Sequence, residues 1–435
     1  MKHKVKLLRA ALLSVLVLAG AGLAGVGPQP WAPGGGEAQA QPGGQQHQVR
    51  RDRDRRPQRR RARARHRLAE WREHVQERRR AHPERFDRGR RGENVLRARV
   101  LAINPSDAAL ARARALSFVP MRTVQTEDLG LRMVVLRAPP GMSTLQALDA
   151  LQAADPGGIY DFDHVYDPSG GQTNASDLGS ATSAANGAGA RIGMIDAGVA
   201  LDHPALRGAR IQSRSFTGET NAATSAHGTA VASLLVGDDG AFHGAAPGAQ
   251  LFAADVFGES IEGGSVEAIA NALAWMASEH VMVVNISLTG PRNRVLDSVC
   301  QAMIARGLIL VAAAGNDGPT YPVAFPAATQ GVIAVTAVDT ENRVYLSANR
   351  GPQIAFSAYG VEVEAAMDDG DYEAVSGTSF AAPIIAAALA LRVRGAVTPE
   401  QALASLSPDV VDLGAPGRDP IYGLGLVSQS GDSSH

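Results

Sequence analysis

Three side chains on widely separated stretches of the sequence carry the parts of an acyl-transfer reaction. Asp196 closes the apolar run Ile192-Gly193-Met194-Ile195, with Gly198 two residues further on. His227 opens a pattern of small residues, His227-Gly228-Thr229-Ala230-Val231-Ala232. Ser379 enters an Ala-rich helical pattern through a Gly-Thr turn, in Ser376-Gly377-Thr378-Ser379-Phe380-Ala381-Ala382-Pro383. A hydroxyl nucleophile needs a base to take its proton, and an imidazole base needs a carboxylate to hold its tautomer. A helix beginning at Ser379 adds partial positive charge where an attacked carbonyl would become negative. An isolated Asp after a strand is usually a turn residue and an isolated His usually structural, so the specific signal is the serine motif and the set of three.

These motifs, and the segments between them, resemble the subtilisin-like serine proteases, the subtilases, over most of residues 186–427. The chain order Asp, His, Ser is that of the family. The connecting segments Gly244-Ala245-Ala246-Pro247-Gly248, Asn285-Ile286-Ser287-Leu288-Thr289-Gly290 and Ala312-Ala313-Ala314-Gly315-Asn316-Asp317-Gly318 match it too. The resemblance implies a serine endopeptidase that needs no cofactor for its chemistry and acts on polypeptide substrates. It assigns Asn316 as the side-chain donor of an oxyanion hole, beside the backbone amide of Ser379. Ser287, Leu288, Thr289 and Gly290 become the edge that pairs with an extended substrate by strand addition. Ala313, Ala314 and Gly315 become one wall of the primary specificity pocket, with Ala324 and Phe325 near its floor and Asp317 near its rim.

Two departures from the family pattern stand out. Ala230 occupies a position where a second histidine is common, which leaves the chemistry intact. The loop Gly237-Asp238-Asp239-Gly240 is short against a segment that often binds calcium. Asp238 and Asp239 remain candidate oxygen ligands of a structural calcium, although adjacent loop carboxylates are more often solvated. An esterase elbow of the Gly-x-Ser-x-Gly type is disfavoured by the residues around Ser379 and by the order of the three motifs. An inactive binding protein on the same scaffold is the alternative, and it would show a broken triad or a missing Asn316; neither occurs. Cys300 is the single cysteine, so an internal disulfide framework is excluded, and its apolar helical context matches no nucleophile motif.

The elements that must position these residues follow from periodicity. Short continuous apolar runs at 191–195, 250–256, 281–286, 308–313 and 332–337 alternate with helical patterns at 227–235, 265–278 and 295–305. Buried strands alternating with helices predict an α/β domain over 186–435, a parallel sheet with helices on both faces. Before it, strands at 95–103, 119–126, 131–136 and 159–166 flank helices at 106–116 and 143–153. That β-α-β-β-α-β order predicts a small α+β, ferredoxin-like domain over 93–168. A Ser, Gly and Asn-rich linker, 169–185, joins the two. In subtilases such a front domain is commonly a prodomain, an intramolecular chaperone and inhibitor whose last strand leads into the cleft. The resemblance therefore implies a zymogen that cuts itself between Tyr166 and Asn186; a permanently retained recognition module is the rival.

Composition sets the remaining expectations. Residues 50–91 hold nineteen Arg against seven acidic residues, whereas residues 92–435 hold nineteen Arg against thirty-five acidic residues. An acidic folded part excludes a catalytic domain built to hold nucleic acid through phosphates. The Arg-rich arm, 41–92, is expected to be disordered or partly helical: 41–60 lacks the apolar content to fold alone, and 61–80 is a candidate short solvated helix. The arm reads as a soluble spacer, with binding to nucleic acid or an anionic membrane as the alternative. Residues 1–40 combine Lys2, Lys4, Lys6 and Arg9 with an apolar run and a small-x-small site at Ala38-Gln39-Ala40, the pattern of a secretory signal peptide. The expected product is secreted or periplasmic and monomeric, without a membrane span once the signal is removed. Tethering by an uncleaved signal anchor is the alternative.

Overall fold

The computed structural model describes residues 77–126, 130–172, 186–218, 223–258, 263–393 and 395–427. The expected signal peptide, most of the Arg-rich arm and most of the 169–185 linker lie outside the described residues. Among the described residues, no helix is long and apolar enough to cross a membrane.

The front region is an antiparallel sheet built from β1 (Phe86–Arg88), β2 (Asn94–Ile103), β3 (Val119–Thr126), β4 (Leu131–Arg137) and β5 (Ile159–His164), with α1 (Asp107–Ala115) and α2 (Thr144–Ala154) between them. β2 is central, pairing with β4 and β5, while β3 lies outside β4, as the ferredoxin-like order requires. Sequence reading begins this unit at residue 93, but β1 already belongs to the sheet: Phe86 pairs with Leu96 and is buried with Leu96 and Val165. Three residues lack the periodicity that would reveal so short a strand. Both helices start where a serine supplies the missing acceptor: Ser106 Oγ takes the N–H of Ala109, and Ser143 forms a capping box with Gln146.

The period of two sends alternate side chains of the same strand to two different cores. Val100 and Ala102 of β2, with Val134 and Leu136 of β4, pack beneath α1 and α2. Leu101, Ile103, Met133 and Val135 point the other way and join the core of the larger domain. They pack over α4 (Val266–Ser278) and α5 (Arg294–Ala305), each of which carries its own N-cap, Ser265 and Asn293.

The larger domain has a nine-stranded sheet. In chain order its strands are β8 (Arg191–Asp196), β9 (Arg210–Ser215), β10 (Gln250–Asp255), β11 (Val283–Ile286), β13 (Ile309–Ala313), β14 (Ile333–Val338), β15 (Ile354–Tyr359), β18 (Val410–Val411) and β19 (Leu426–Val427). The order in the sheet is β18-β19-β15-β14-β13-β11-β8-β10-β9, and β9 through β15 are parallel. β10 and β9 lie on one side of β8 and β11 on the other, so the strand order reverses at β8 and its carboxyl end is a topological switch point. Two helices meet there, α3 (Ala226–Val236) and α6 (Thr378–Arg392), with α7 (Pro399–Leu406) further along the chain. The remaining strands are short or form separate ribbons: β6 (Asp167–Pro168), β7 (Gly171–Gln172), β12 (Leu288–Thr289), β16 (Val361–Ala366) and β17 (Tyr372–Ser376).

The front strand β5 holds the larger domain through two carboxylates on alternate residues. Asp161 Oδ2 accepts the N–H of Arg294, the first residue of α5, at 2.8 Å. Asp163 Oδ1 accepts the N–H of Glu267, in the first turn of α4, at 3.2 Å. Both occupy the positive ends of helices. Asp163 is fully buried, and its other oxygen has no hydrogen-bond partner among the described residues, with Arg99 Nη1 3.9 Å away. Burial and the neighbouring Glu267 carboxylate push its pKa up to about 7 against the opposing Arg99 and Arg122 guanidinium groups. The docked arrangement thus binds the Asp163 proton more tightly than the undocked chain does. It is favoured at low pH and loses that advantage as pH rises from about 4 to about 7. In a Ser379→Ala chain, so that no self-cleavage intervenes, the melting temperature of the docked front domain should fall by several degrees between pH 5 and 8. Asp163→Asn should flatten that dependence, which thermal unfolding followed by circular dichroism would check.

Candidate active site

The three sequence motifs converge at the switch point. Asp196 is the last residue of β8 and is fully buried; its Oδ1 accepts the N–H of Ala197 at 2.6 Å and faces His227 Nδ1 at 2.8 Å. His227 is the second residue of α3 and Ser379 the second of α6, and His227 Nε2 lies 3.1 Å from Ser379 Oγ. Because the Asp196 carboxylate can only accept, Nδ1 carries the proton and Nε2 is left as the acceptor of the serine hydroxyl. Burial alone would lower the imidazole pKa. The Asp196 charge, its hydrogen bond and the carbonyl of Ser169 more than offset that and hold His227 above its ordinary value.

Close approach depends on missing side chains. A Cβ on Gly228 would stand 2.3 Å from the carbonyl oxygen of Ala197 and 2.5 Å from that of Gly198, so only glycine lets α3 bring His227 onto the end of β8. A Cβ on Gly377 would lie 2.7 Å from Gly170 Cα, 3.2 Å from Asn316 Nδ2 and 3.3 Å from the Ser169 carbonyl oxygen. Those three groups therefore crowd the entrance of α6.

Asn316 is aimed from its oxygen end. Its Oδ1 accepts the backbone N–H of Thr378 at 3.0 Å and the Thr378 hydroxyl at 3.1 Å. That fixes the amide so that Nδ2 turns toward the cleft, and Nδ2 is buried without a hydrogen-bond partner among the described residues. A buried amide donor left unpaired is costly unless something arrives to accept from it. Thr378 also takes the N–H of Gly315 on its Oγ1, at 3.1 Å.

The chain's own residues 166–172 run through this cleft. The N–H of Tyr166 donates to Gly264 O at 2.8 Å, and its phenol donates to Pro291 O at 2.6 Å. Asp167 and Pro168 pair antiparallel with Thr289 and Leu288, and Ser169 N reaches Ser287 O at 3.4 Å. The Ser169 carbonyl oxygen is 3.5 Å from His227 Nε2, and a Cβ on Gly170 would sit 2.5 Å from Ser379 Oγ. Gly171 and Gln172 then pair antiparallel with Ser376 and Val375 of β17. The run expected as one strand over 159–166 therefore ends at His164. Beyond it, the chain leaves the front sheet for the edges of the larger domain.

The other expected site residues divide by what they touch. Leu288 and Thr289 form the pairing edge. Gly290 lies under the Tyr166 ring, where a Cβ would be 2.5 Å from it, and pairs with Phe325. The Ser287 main chain faces Ser169, but its buried hydroxyl turns inward to donate to Ser379 O at 2.8 Å. That carbonyl is free because residue 383, four positions on, is a proline without an N–H. Gly315 borders the cleft beside Ala324, whereas the side chains of Ala313 and Ala314 belong to the two cores of the domain. Asp317 is drawn to Asn349, whose Nδ2 donates to its carboxylate at 3.2 Å. Sequence reading missed Gly264 and Asn349, a main-chain acceptor and a loop anchor with no motif around them, and it read Thr378 only as part of the turn before Ser379, not as the hydroxyl that orients Asn316.

The loop at Asp238 and Asp239 does not fit a calcium ion. Asp239 spends Oδ1 on the N–H groups of Ala241 and Phe242 and Oδ2 on the Tyr372 phenol, while Asp238 Oδ1 accepts from Gly240 N and faces His243 at 3.1 Å. Among the described residues, no three His, Cys, Asp or Glu side chains gather to hold a metal. Cys300 is buried in α5, where desolvation pushes its thiol up to about 12, far from a reactive thiolate.

Comparison with known proteins agrees with this geometry. Minor extracellular protease Epr of Bacillus subtilis (strain 168) is 33% identical over 221 residues, 48% of this chain and 34% of its own length. Subtilisin E of the same organism is 33% identical over 213 residues, 47% of this chain and 55% of its own. The chain thus spans about half or less of these relatives. Subtilisin DY of Bacillus licheniformis is 32% identical over 252 residues, 56% of this chain and 90% of its own. Among solved structures, fervidolysin from Fervidobacterium pennivorans, a keratinolytic enzyme related to subtilisin, has the same fold, with a TM-score of 0.63 at 20% identity over 77% of this chain and 60% of its own. Residues 187–425, more than half of the chain, match the Peptidase_S8 profile described as the subtilase family, and the chain belongs to that family.

Proposed function

We propose that the protein is a serine endopeptidase made as a zymogen, and that its first substrate is its own Ser169–Gly170 peptide bond. The observation that carries this reading is the contact of that bond with the hydroxyl and imidazole: Ser169 O beside His227 Nε2, and Gly170 against Ser379 Oγ. Membership of the subtilase family supports the reaction class.

In the proposed reaction Ser379 Oγ attacks the carbonyl carbon of Ser169 while His227 Nε2 takes the hydroxyl proton, and Asp196 stabilises the imidazolium through Nδ1. The negative charge forming on the carbonyl oxygen is met by Asn316 Nδ2 and the Ser379 backbone N–H at the positive end of α6. His227 then gives its proton to the Gly170 nitrogen, the C–N bond breaks, and an ester links Ser169 to Ser379. Water, deprotonated by the same imidazole, hydrolyses the ester and restores the hydroxyl. Binding needs no special pocket chemistry for most positions, since residues 166–169 are held by main-chain pairing to Gly264 and to 287–289.

The front domain then acts as chaperone and inhibitor. Its apolar sheet face on α4 and α5, the helix-capping Asp161 and Asp163, and the strand in the cleft all favour a product that stays bound after the cut. The signal-like amino terminus and the extracellular relative together support secretion. A silent binding protein would have no use for a tautomer-fixed imidazole or an unpaired buried amide, and both are present.

Secreted wild-type protein should have a mature terminus at Gly170, and Ser379→Ala should remain uncut by its own hydroxyl; intact mass of both reads the boundary directly. Equal, uncut masses would overturn self-processing. Peptide hydrolysis should rise with pH as His227 loses its proton, with a midpoint above the ordinary value of about 6.5, and Asp196→Asn should lower both the rate and the midpoint. Asn316→Ala should cost about 10²–10³ in kcat with little change in KM; stopped-time assays across pH 5–9 would measure all three.

A further inference from the structure

We infer that Asn349 is a positioning residue for the reaction: it holds the loop carrying Asn316 in register, so that the amide donor meets the developing oxyanion. The inference rests on the reading of Asn316 given above.

Asn349 lies in the irregular segment between β14 and β15, outside every motif, and is 1% exposed. Every hydrogen-bonding position of its side-chain amide is used on one loop. Oδ1 accepts the N–H groups of Asp317 at 2.8 Å and Gly318 at 3.2 Å. Nδ2 donates to Asp317 Oδ2 at 3.2 Å and to Pro322 O at 3.0 Å. Its backbone N–H donates to Gly315 O at 2.9 Å. Two lone pairs and two N–H bonds are the whole capacity of an amide, so no side-chain group of Asn349 is left for any other element.

These contacts bracket Asn316 from both sides, through Gly315 before it and Asp317 after it. The loop has no regular secondary structure to fix it otherwise, and Gly315 has a φ of 108°, a left-handed conformation that favours glycine. A Cβ there would also stand 2.5 Å from Asn349 Nδ2, so the glycine and the asparagine fit as a pair. Thr378 sets the rotation of the Asn316 amide, and Asn349 sets where its backbone starts. A displacement of about 1 Å at a reacting group can cost about 10²-fold in rate. No smaller or charged side chain replaces it: alanine loses all four side-chain bonds, and aspartate would face the Asp317 carboxylate and Pro322 O with no hydrogen to offer.

The test is a double-mutant cycle on the full chain. The single-turnover rate of self-cleavage at Ser169–Gly170 is measured for wild type, Asn316→Ala, Asn349→Ala and the double variant, well below each melting temperature. For the processed proteins, kcat and KM are measured on a chromogenic peptide with the sequence of residues 166–169. Asn349→Ala should slow cleavage by about 10- to 100-fold and lower kcat at nearly constant KM, while the double variant should be no slower than Asn316→Ala alone. Equal fold-losses in both backgrounds, or an unchanged rate in Asn349→Ala, would overturn the inference, because a merely structural role multiplies in both. Should Asn349→Ala fail to fold, Asn349→Ser in the same cycle gives the same discrimination. An Asn316→Ala protein as fast as wild type would instead sink the oxyanion reading itself, and a wild type that never cuts would sink the processing reading.

Discussion

The cleft depends on a helix that has no solvent face. Residues 378–390 of α6 are all buried, and its many alanines, Ala381, Ala382, Ala386, Ala387 and Ala388 among them, let it lie against β13, β14 and α3. Burying a helix this completely leaves nothing adjustable at its start. The first turn carries Thr378, which orients Asn316, and Ser379, whose carbonyl would be orphaned by Pro383 if Ser287 did not donate to it. An unpaired carbonyl at that depth would cost about 1–3 kcal/mol. The Ser287 hydroxyl and the proline therefore act together, freeing the main chain of Ser379 from the helix ladder while keeping it rigid.

The same packing fixes the imidazole. α3 lies against α6, and Gly228 lets it touch the end of β8, so Asp196, His227 and Ser379 come from one strand terminus and two helix beginnings that share a boundary. Asp196 Oδ1 is held by the Ala197 N–H and by His227 Nδ1, and Asn316 Oδ1 by Thr378. The buried Nδ2 of Asn316 was desolvated during folding, and packing elsewhere offset that cost before any reaction began. In the proposed reaction this is preorganisation in its physical sense: dipoles aimed beforehand at the site of developing charge need not reorient.

How much of this was legible in sequence follows the range of the signals. The five central strands and three of the helices flanking them were read within one or two residues, because continuous apolar runs and 3.6-residue periodicity are local properties. The motifs of Asp196, His227, Ser379 and Asn316 are equally local, and the structure brings the first three within hydrogen-bond distance of one another. β9 escaped because an edge strand reading Arg-Ile-Gln-Ser-Arg-Ser is half polar, and β16 and β17 because they form a separate ribbon with β7 and not part of the main sheet. Ser287 was read as part of a main-chain pairing edge, and its main chain does face Ser169; the inward turn of its hydroxyl goes with a proline ninety-six positions later, which no window in the sequence connects to it. Asp161 and Asp163 sit on alternate positions of the strand read at 159–166, and nothing local marks them as helix caps. Their partners are helix N–H groups more than a hundred residues away.

Charge segregation along the chain does not explain how the front domain is held, and its failure to do so is instructive. The basic stretch, 50–91, is not the docked face: residues 93–168 hold seven Arg against nine acidic residues, and of these Arg122 reaches Glu267. Arg122, however, is largely exposed at that contact, where an ion pair contributes little. The groups that penetrate the seam have the other polarity: Asp161 and Asp163 come from the front domain, and they meet the positive ends of two helices in a domain that is acidic overall. What decides the contact is the local field of backbone N–H groups, the apolar strand face that excludes water around them, and a main chain extended enough to continue into the cleft. Net charge describes how such a protein behaves in solution. The direction of a few backbone N–H bonds, those of Arg294 and Glu267 among them, describes where its own chain can lie.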